Sequence, residues 1–123
     1  MRWINALTGC TDTTATATAT FSENDFAVAD GKVLETALVE CVAQTVAAAL
    51  GQRAQSGGGK SGAAANGMLI AASNFKILSR PSAGQTLQIE IRETKRLGPM
   101  LMIAGTITCE GQTIASGELS LYA

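Results

Sequence analysis

The sequence predicts an α+β fold, in which a curved, largely antiparallel sheet of five or six strands wraps around one long central helix. Three observations predict it. Apolar and polar residues alternate in several segments, as they do in strands, and one apolar segment is long enough to form a helix. Turn-forming residues separate the last four predicted strands. Short connections favour antiparallel neighbours, and one sheet covers a helix only by twisting around it. The chain has 123 residues, so we expect a single domain over residues 1–123.

The strands are predicted from a two-residue period. Over Thr11–Phe21, alanine alternates with β-branched threonine, which indicates a half-buried strand. The polar residues that follow predict a loop before the helix. Four later strands are predicted at Met68–Leu78, Gln85–Glu93, Met100–Cys109 and Gln112–Tyr122.

The helix is predicted from Val33 to about Leu50, a segment that is apolar on nearly every side and is therefore expected to be buried. Thr36, Glu40 and Gln44 are spaced four apart and form one narrow polar stripe along it. Because burying a carboxylate costs several kcal/mol unless it is paired or protonated, we expect a compensating partner for Glu40. The Gly- and Ser-rich segment Gln52–Asn66 predicts a flexible surface loop.

Composition excludes several classes of function. The net charge is −1 and no charge run is long, so no nucleic-acid partner is expected. No apolar run approaches the ~20 residues of a membrane span, and three widely spaced cysteines fit a cytoplasmic protein. The complete absence of histidine excludes Ser-His-Asp catalysis and imidazole metal ligands, and no metal site is expected.

Charged residues are only 15% of the chain, against about 25% in typical domains, which predicts that part of the surface is covered by another subunit.

Several motifs along the chain share one family resemblance. They are Glu23-Asn24-Asp25-Phe26, Gly31-Lys32, Val39-Glu40-Cys41-Val42-Ala43-Gln44, Gly67-Met68-Leu69-Ile70, Pro81-x-x-Gly84-x-x-Leu87 and Ala115-x-Gly117-x-Leu119-x-Leu121-Tyr122. Together they resemble the hotdog-fold 3-hydroxyacyl-(acyl-carrier-protein) dehydratases and, among them, the dehydratase-like proteins of aryl polyene gene clusters. The resemblance implies a hotdog fold and a lyase of fatty acid or polyene biosynthesis.

The resemblance implies that the dehydratase site of this family forms at a dimer interface. A histidine of one subunit moves the proton, a carboxylate on the helix of the other subunit assists, and backbone N–H groups at the helix start polarise the thioester carbonyl. Glu40 matches the helix carboxylate, and Asp25 stands where the family has its histidine, so Asp25 and Glu40 become the catalytic pair. Gln44, Thr36 and Met68 are the residues expected to bind substrate. No cofactor is expected, since the acyl group is carried on the phosphopantetheine of an acyl-carrier protein or of coenzyme A.

Three functions remain open at this point. The first is a dehydratase-like protein with a modified Asp25–Glu40 pair, and the second is an acyl-thioesterase, because a carboxylate pair can activate water. The third is a non-catalytic acyl-binding or partner subunit, in which Asp25 only braces its loop. Exposed sheet edges predict a homodimer or higher oligomer, or a heterodimer with an active dehydratase. Lys95 and Arg96 are either a solvated hairpin end or a docking point for an acidic carrier protein.

Overall fold

The computed structural model describes residues 4–56 and 69–122. The predicted Met68 therefore lies outside the described residues. One helix and eight strands are formed in the described ranges: β1 (Ile4–Cys10), β2 (Thr14–Thr20), β3 (Val28–Ala29), β4 (Lys32–Val33), α1 (Glu35–Ser56), β5 (Leu69–Ile77), β6 (Thr86–Leu97), β7 (Met100–Cys109) and β8 (Gln112–Tyr122).

Six of these strands form one antiparallel sheet in the order β1-β2-β6-β7-β8-β5. The short strands β3 and β4 pair only with each other, as a hairpin just before the helix. Helix α1 contacts β1, β2, β5, β6 and β7 on one face of the sheet. This confirms the α+β architecture expected from the sequence.

The core lies between α1 and the inner face of the sheet. The buried helix residues recur at a spacing of three to four, as one apolar face of a helix requires: Ala37, Leu38, Cys41, Val42, Thr45, Val46 and Ala49. The buried Thr45 satisfies its hydroxyl within the helix, because Oγ1 donates to the Cys41 carbonyl oxygen at 2.8 Å. Alanines 15, 17 and 19 of β2 point inward and the intervening threonines outward, as the alternation predicts.

Gly105 on β7 lies where helix α1 packs closely against the sheet. A Cβ atom built there would lie 2.5 Å from Cγ1 of the buried Val42. Only glycine leaves room for the valine, so this position sets how closely α1 packs on β7.

Three expectations were wrong. Strand β1 (Ile4–Cys10) was not predicted, and α1 continues past Leu50 to Ser56, into the segment that was expected to be loop. Glu40 is exposed, because the sheet covers only one side of the helix, and it therefore needs no compensating partner. Within the described ranges, no helix is long and apolar enough to cross a bilayer.

Candidate active site

The loop between β2 and the β3–β4 hairpin is organised by Asp25. Its side-chain Oδ1 accepts the N–H of Ala27 at 2.9 Å, and its backbone N–H donates to the Ser22 carbonyl oxygen at 3.1 Å. The Asp25 carbonyl oxygen accepts the N–H of Val28 at 3.0 Å. A short carboxylate that bonds a backbone N–H two residues on is a recurrent turn device. Asp25, which is half-buried, therefore braces this loop whatever else it does.

Arg80 fixes the β3–β4 hairpin beside the helix start. Its Nε donates to the Val33 carbonyl oxygen at 2.8 Å, and Nη2 donates to the carbonyl oxygens of Lys32 at 3.2 Å and Ala29 at 3.5 Å. The N–H of Val33 in turn donates to the Pro81 carbonyl oxygen at 2.9 Å. The sequence indicated only a turn at Arg80, because the acceptors are backbone atoms about 50 residues away, which no motif encodes.

The first turn of α1 has no side-chain cap. Leu34 occupies the N-cap position, since its carbonyl oxygen accepts the N–H groups of Ala37 and Leu38 at 3.1 and 3.4 Å. A leucine side chain offers no acceptor, unlike the Ser, Thr, Asp or Asn that usually stand there. Among the described residues, the N–H groups of Glu35 and Thr36 have no acceptor. They form a pair of free donors at the positive end of the helix dipole.

The predicted stripe Thr36, Glu40 and Gln44 lies on the side of α1 away from the core. Thr36 and Glu40 are exposed and Gln44 is half-buried. Oε1 of Gln44 accepts the N–H of Ile4 at 3.2 Å, so Gln44 joins the helix to strand β1. The exposed acid thus lies one helical turn after Thr36, whose N–H is free.

Cys41 follows Glu40 but points into the core. Burial, with a smaller contribution from the negative charge of Glu40, raises the pKa of the Cys41 thiol to about 12. The thiol is therefore protonated at neutral pH and is not a nucleophile. Cys109, also buried, has its pKa raised by desolvation and by the neighbouring Glu110.

Within one chain, the two predicted catalytic residues are not joined. No hydrogen bond or ion pair links Asp25 to Glu40, both of which are described. Phe26, next to Asp25, is 67% exposed. No three cysteine, aspartate or glutamate side chains of residues 4–56 and 69–122 lie close enough to hold a metal ion.

Solved structures with this architecture include a dehydratase heterocomplex and a hypothetical thioesterase. The dehydratase heterocomplex ApeI:P from Xenorhabdus doucetiae superposes with a TM-score of 0.77 at 16% identity, over 98% of this chain and 82% of that chain. A hypothetical thioesterase with coenzyme A from Streptococcus pneumoniae TIGR4 gives 0.71 at 11% identity, over 95% and 83%. The protein smu.793 from Streptococcus mutans UA159, bound to acetyl CoA, gives 0.72 at 11% identity, over 99% and 88%.

These likenesses establish the hotdog fold that the sequence resemblance implied. No curated protein sequence matches the chain. The model of the ApeP-like family, described as ApeP dehydratase, matches residues 1–123. The match covers the whole chain, so the protein belongs to the ApeP-like family of hotdog dehydratases.

Proposed function

We propose that this chain is one subunit of a dehydratase that removes water from 3-hydroxyacyl thioesters, and that a second hotdog subunit supplies the base. The observation that carries the proposal is the uncapped start of α1. There, the free N–H groups of Glu35 and Thr36 stand one helical turn before the exposed Glu40 carboxylate. Family membership supports the reaction class, and the dehydratase heterocomplex among the similar structures supports a two-subunit assembly.

The free donors suit the charge that develops in this reaction. When a base removes the proton from the α-carbon, negative charge moves to the thioester oxygen. Two N–H groups at a helix start stabilise that oxygen. The C3–O bond then breaks, and the hydroxyl group leaves as water after it accepts a proton. We assign Glu40 to hold the 3-hydroxyl group and to assist that proton transfer. Thr36, Gln44 and Met68 remain proposed substrate contacts.

A partner is proposed because this chain lacks histidine. An aspartate has an ordinary pKa of ~3.9, against ~6.5 for histidine, and is the weaker base at neutral pH. One oxygen of Asp25 is already used to hold the Ala27 N–H. A histidine of the second subunit placed near Glu40 would complete one site in each heterodimer. The alternative is a self-associated dimer in which Asp25 of one copy serves as the base for Glu40 of the other.

The test measures enoyl thioester formation from 3-hydroxyacyl thioesters by the full chain alone and in complex with a histidine-bearing hotdog subunit from the same cell. We expect turnover only in the complex, and a loss of at least about a hundredfold in kcat for Glu40→Gln of this chain. Asp25→Asn should leave kcat of the complex within about threefold, because an asparagine oxygen can still accept the Ala27 N–H.

Turnover by the chain alone that disappears in Asp25→Asn would instead establish the self-associated dimer. Full activity of the complex with Glu40→Gln would refute the proposal. The relatives bound to coenzyme A or to acetyl CoA favour one further candidate, an acyl-thioesterase. Release of free thiol without any enoyl product would identify that activity.

A further inference from the structure

On the outer face of the sheet, opposite α1, strand β6 carries two neighbouring charges of opposite sign. Glu90 and Arg92 on β6 alternate with the buried Ile89 and Ile91 and are both exposed. Across the strands, Glu90 lies between Thr16 and Thr106, while Arg92 lies between Thr14 and Ala104. In the described part of the chain, neither side chain takes part in an ion pair.

A groove of about 370 Å³ opens on the same face. Its lining includes five threonines from β1, β2 and β7, together with Gln88 and Glu90. Glu90 is the one charged residue among these described lining residues. Hydroxyl, amide and carboxylate oxygens beside a single negative charge suit a guanidinium group, which has five N–H donors and accepts no hydrogen bond.

We propose that this outer face binds the same face of a second copy of the chain, with Arg92 of each copy entering the threonine-lined groove of the other. Residues two apart on a strand are separated by about 7 Å. A two-fold axis that lies in the interface and crosses β6 at Ile91 places Glu90 of one copy against Arg92 of the other, and the reverse. The face is therefore self-complementary, as a two-fold interface must be.

The size and composition of the face fit such an interface. Six strands about 4.8 Å apart and about seven residues long give a face of roughly 700 Å² in projection, close to the ~800 Å² that each partner buries in a standard interface. Strand β2 presents short threonine side chains on this face, and β7 adds Thr106 and Thr108, so two sheets can approach closely around the groove. A chain with only 15% charged residues also has little charge to repel a second copy. The inference is independent of the proposed dehydratase activity.

Charge reversal tests the pairing. Sedimentation velocity on the full chain at equal concentrations should give Glu90→Arg and Arg92→Glu half the assembly mass of the wild type, with association weakened at least about a hundredfold. The double reversal Glu90→Arg/Arg92→Glu should restore the wild-type mass, because each charge again meets its opposite. Asp12→Arg is the matched control, since Asp12 is exposed in the turn between β1 and β2 and should leave the mass unchanged.

Thermal unfolding of every variant checks that the fold is intact. Equal masses for the wild type and both single reversals would overturn the proposal. A double reversal that stays at half mass would overturn it as well, because the two charges would then not face each other.

Discussion

The thiol of Cys41 couples protonation to the stability of the core. Its pKa of about 12 lies well above the ~8.5 of an unfolded cysteine. The folded chain therefore keeps a proton that the unfolded chain releases. The stability gained from this group is complete below pH ~8.5 and is lost as the pH rises towards 12. We expect the free energy of unfolding to fall over that window by up to about 1.4 kcal/mol per pH unit.

The measurement is denaturant unfolding of the wild type and Cys41→Ala between pH 7 and 10. The variant should be less stable at pH 7, because it leaves a cavity beside α1, but its stability should fall less steeply with pH. Parallel slopes for the two proteins would show that Cys41 does not couple to folding. Glu40→Gln removes a charge that helps to raise the pKa of Cys41, so the alkaline loss of stability should end at a slightly lower pH and be slightly smaller in total.

The close packing at Gly105 gives a second prediction at this scale. Gly105→Ala forces a methyl group against Val42 and should cost about 1–3 kcal/mol of unfolding free energy. The double variant Gly105→Ala/Val42→Ala should recover part of that loss relative to the sum of the single changes, since the smaller residue 42 makes room. Gly51→Ala is the control. It lies within α1 with no atom within 4 Å of its Cβ position and should gain about 0.5–1 kcal/mol. Denaturant unfolding measures the wild type and the four variants, Val42→Ala included, and equal effects at Gly105 and Gly51 would contradict the account.

Residue types at the site could be predicted from the sequence, but their surroundings could not. The spacing of Thr36, Glu40 and Gln44 correctly predicted one stripe along the helix. The pattern also suggested that Glu40 was buried, because alanine counts as apolar in a sequence pattern whether its side chain is buried or exposed. Ala47 is in fact exposed, and the small residues on that side leave the stripe open.

At the scale of elements, the start of α1 carries the proposed chemistry. Leu34→Ser places an acceptor at the N-cap, so it should be about 1 kcal/mol more stable than Leu34→Ala, which loses the same leucine contacts without capping. The serine oxygen would compete with the thioester for the N–H groups at the helix start. We therefore expect kcat/KM of the active complex to be lower for Leu34→Ser than for Leu34→Ala, although the serine variant is the more stable of the two.

Stability from chemical denaturation and kcat/KM on a 3-hydroxyacyl thioester separate these effects. If the serine variant proves both more stable and more active than the alanine variant, the N–H groups of Glu35 and Thr36 do not bind the thioester oxygen.

Arg80 determines the stability of the hairpin that leads into α1. Removing its three bonds to backbone carbonyl oxygens in Arg80→Ala should cost about 1.5–3 kcal/mol. Hydrogen exchange should become faster in residues 27–36 and stay unchanged in β7 and β8. Arg96→Ala is the control, because the exposed Arg96 makes only a surface ion pair with Glu93 at 3.3 Å, and its loss should be within about 0.5 kcal/mol. Uniformly faster exchange along the chain would mean that Arg80 acts on the whole fold.

Regular pairing decided which elements could be predicted. The bounds of β7 and β8 agree with the sequence, since their registers run with a single shift through ten or more residues. Strand β1 was missed because register shifts between Ile4 and Ala6 and between Leu7 and Gly9 break its two-residue alternation. Helix α1 continues through Gly51 because the φ angle of this glycine is not positive and is therefore compatible with a helix.

At the scale of the whole molecule, strand β5 forms one edge of the sheet with exposed residues at 71–74. An unpaired edge presents free backbone groups to a partner. Leu78, directly after β5, is 68% exposed, and Phe26 is 67% exposed in the loop that holds Asp25. A large exposed side chain directly after an open edge, as Leu78 is, is typical of a subunit interface. We therefore expect a second copy to pair along β5 in the isolated protein, and the second subunit to take that place in the proposed dehydratase complex.

Leu78→Ser tests that edge, because it removes an apolar contact while the Leu78 N–H keeps its 2.7 Å bond to the Ile114 carbonyl oxygen. We expect light scattering to show a lower assembly mass at the same concentration, with no loss in unfolding temperature. Leu97→Ser, at a 51% exposed position beside the β6–β7 turn, should leave the mass unchanged. An interface along β5 and one on the outer face are separate surfaces, so Leu78→Ser combined with Glu90→Arg should reduce the isolated protein to single chains. A double variant no smaller than either single variant would show that both substitutions disturb one and the same interface.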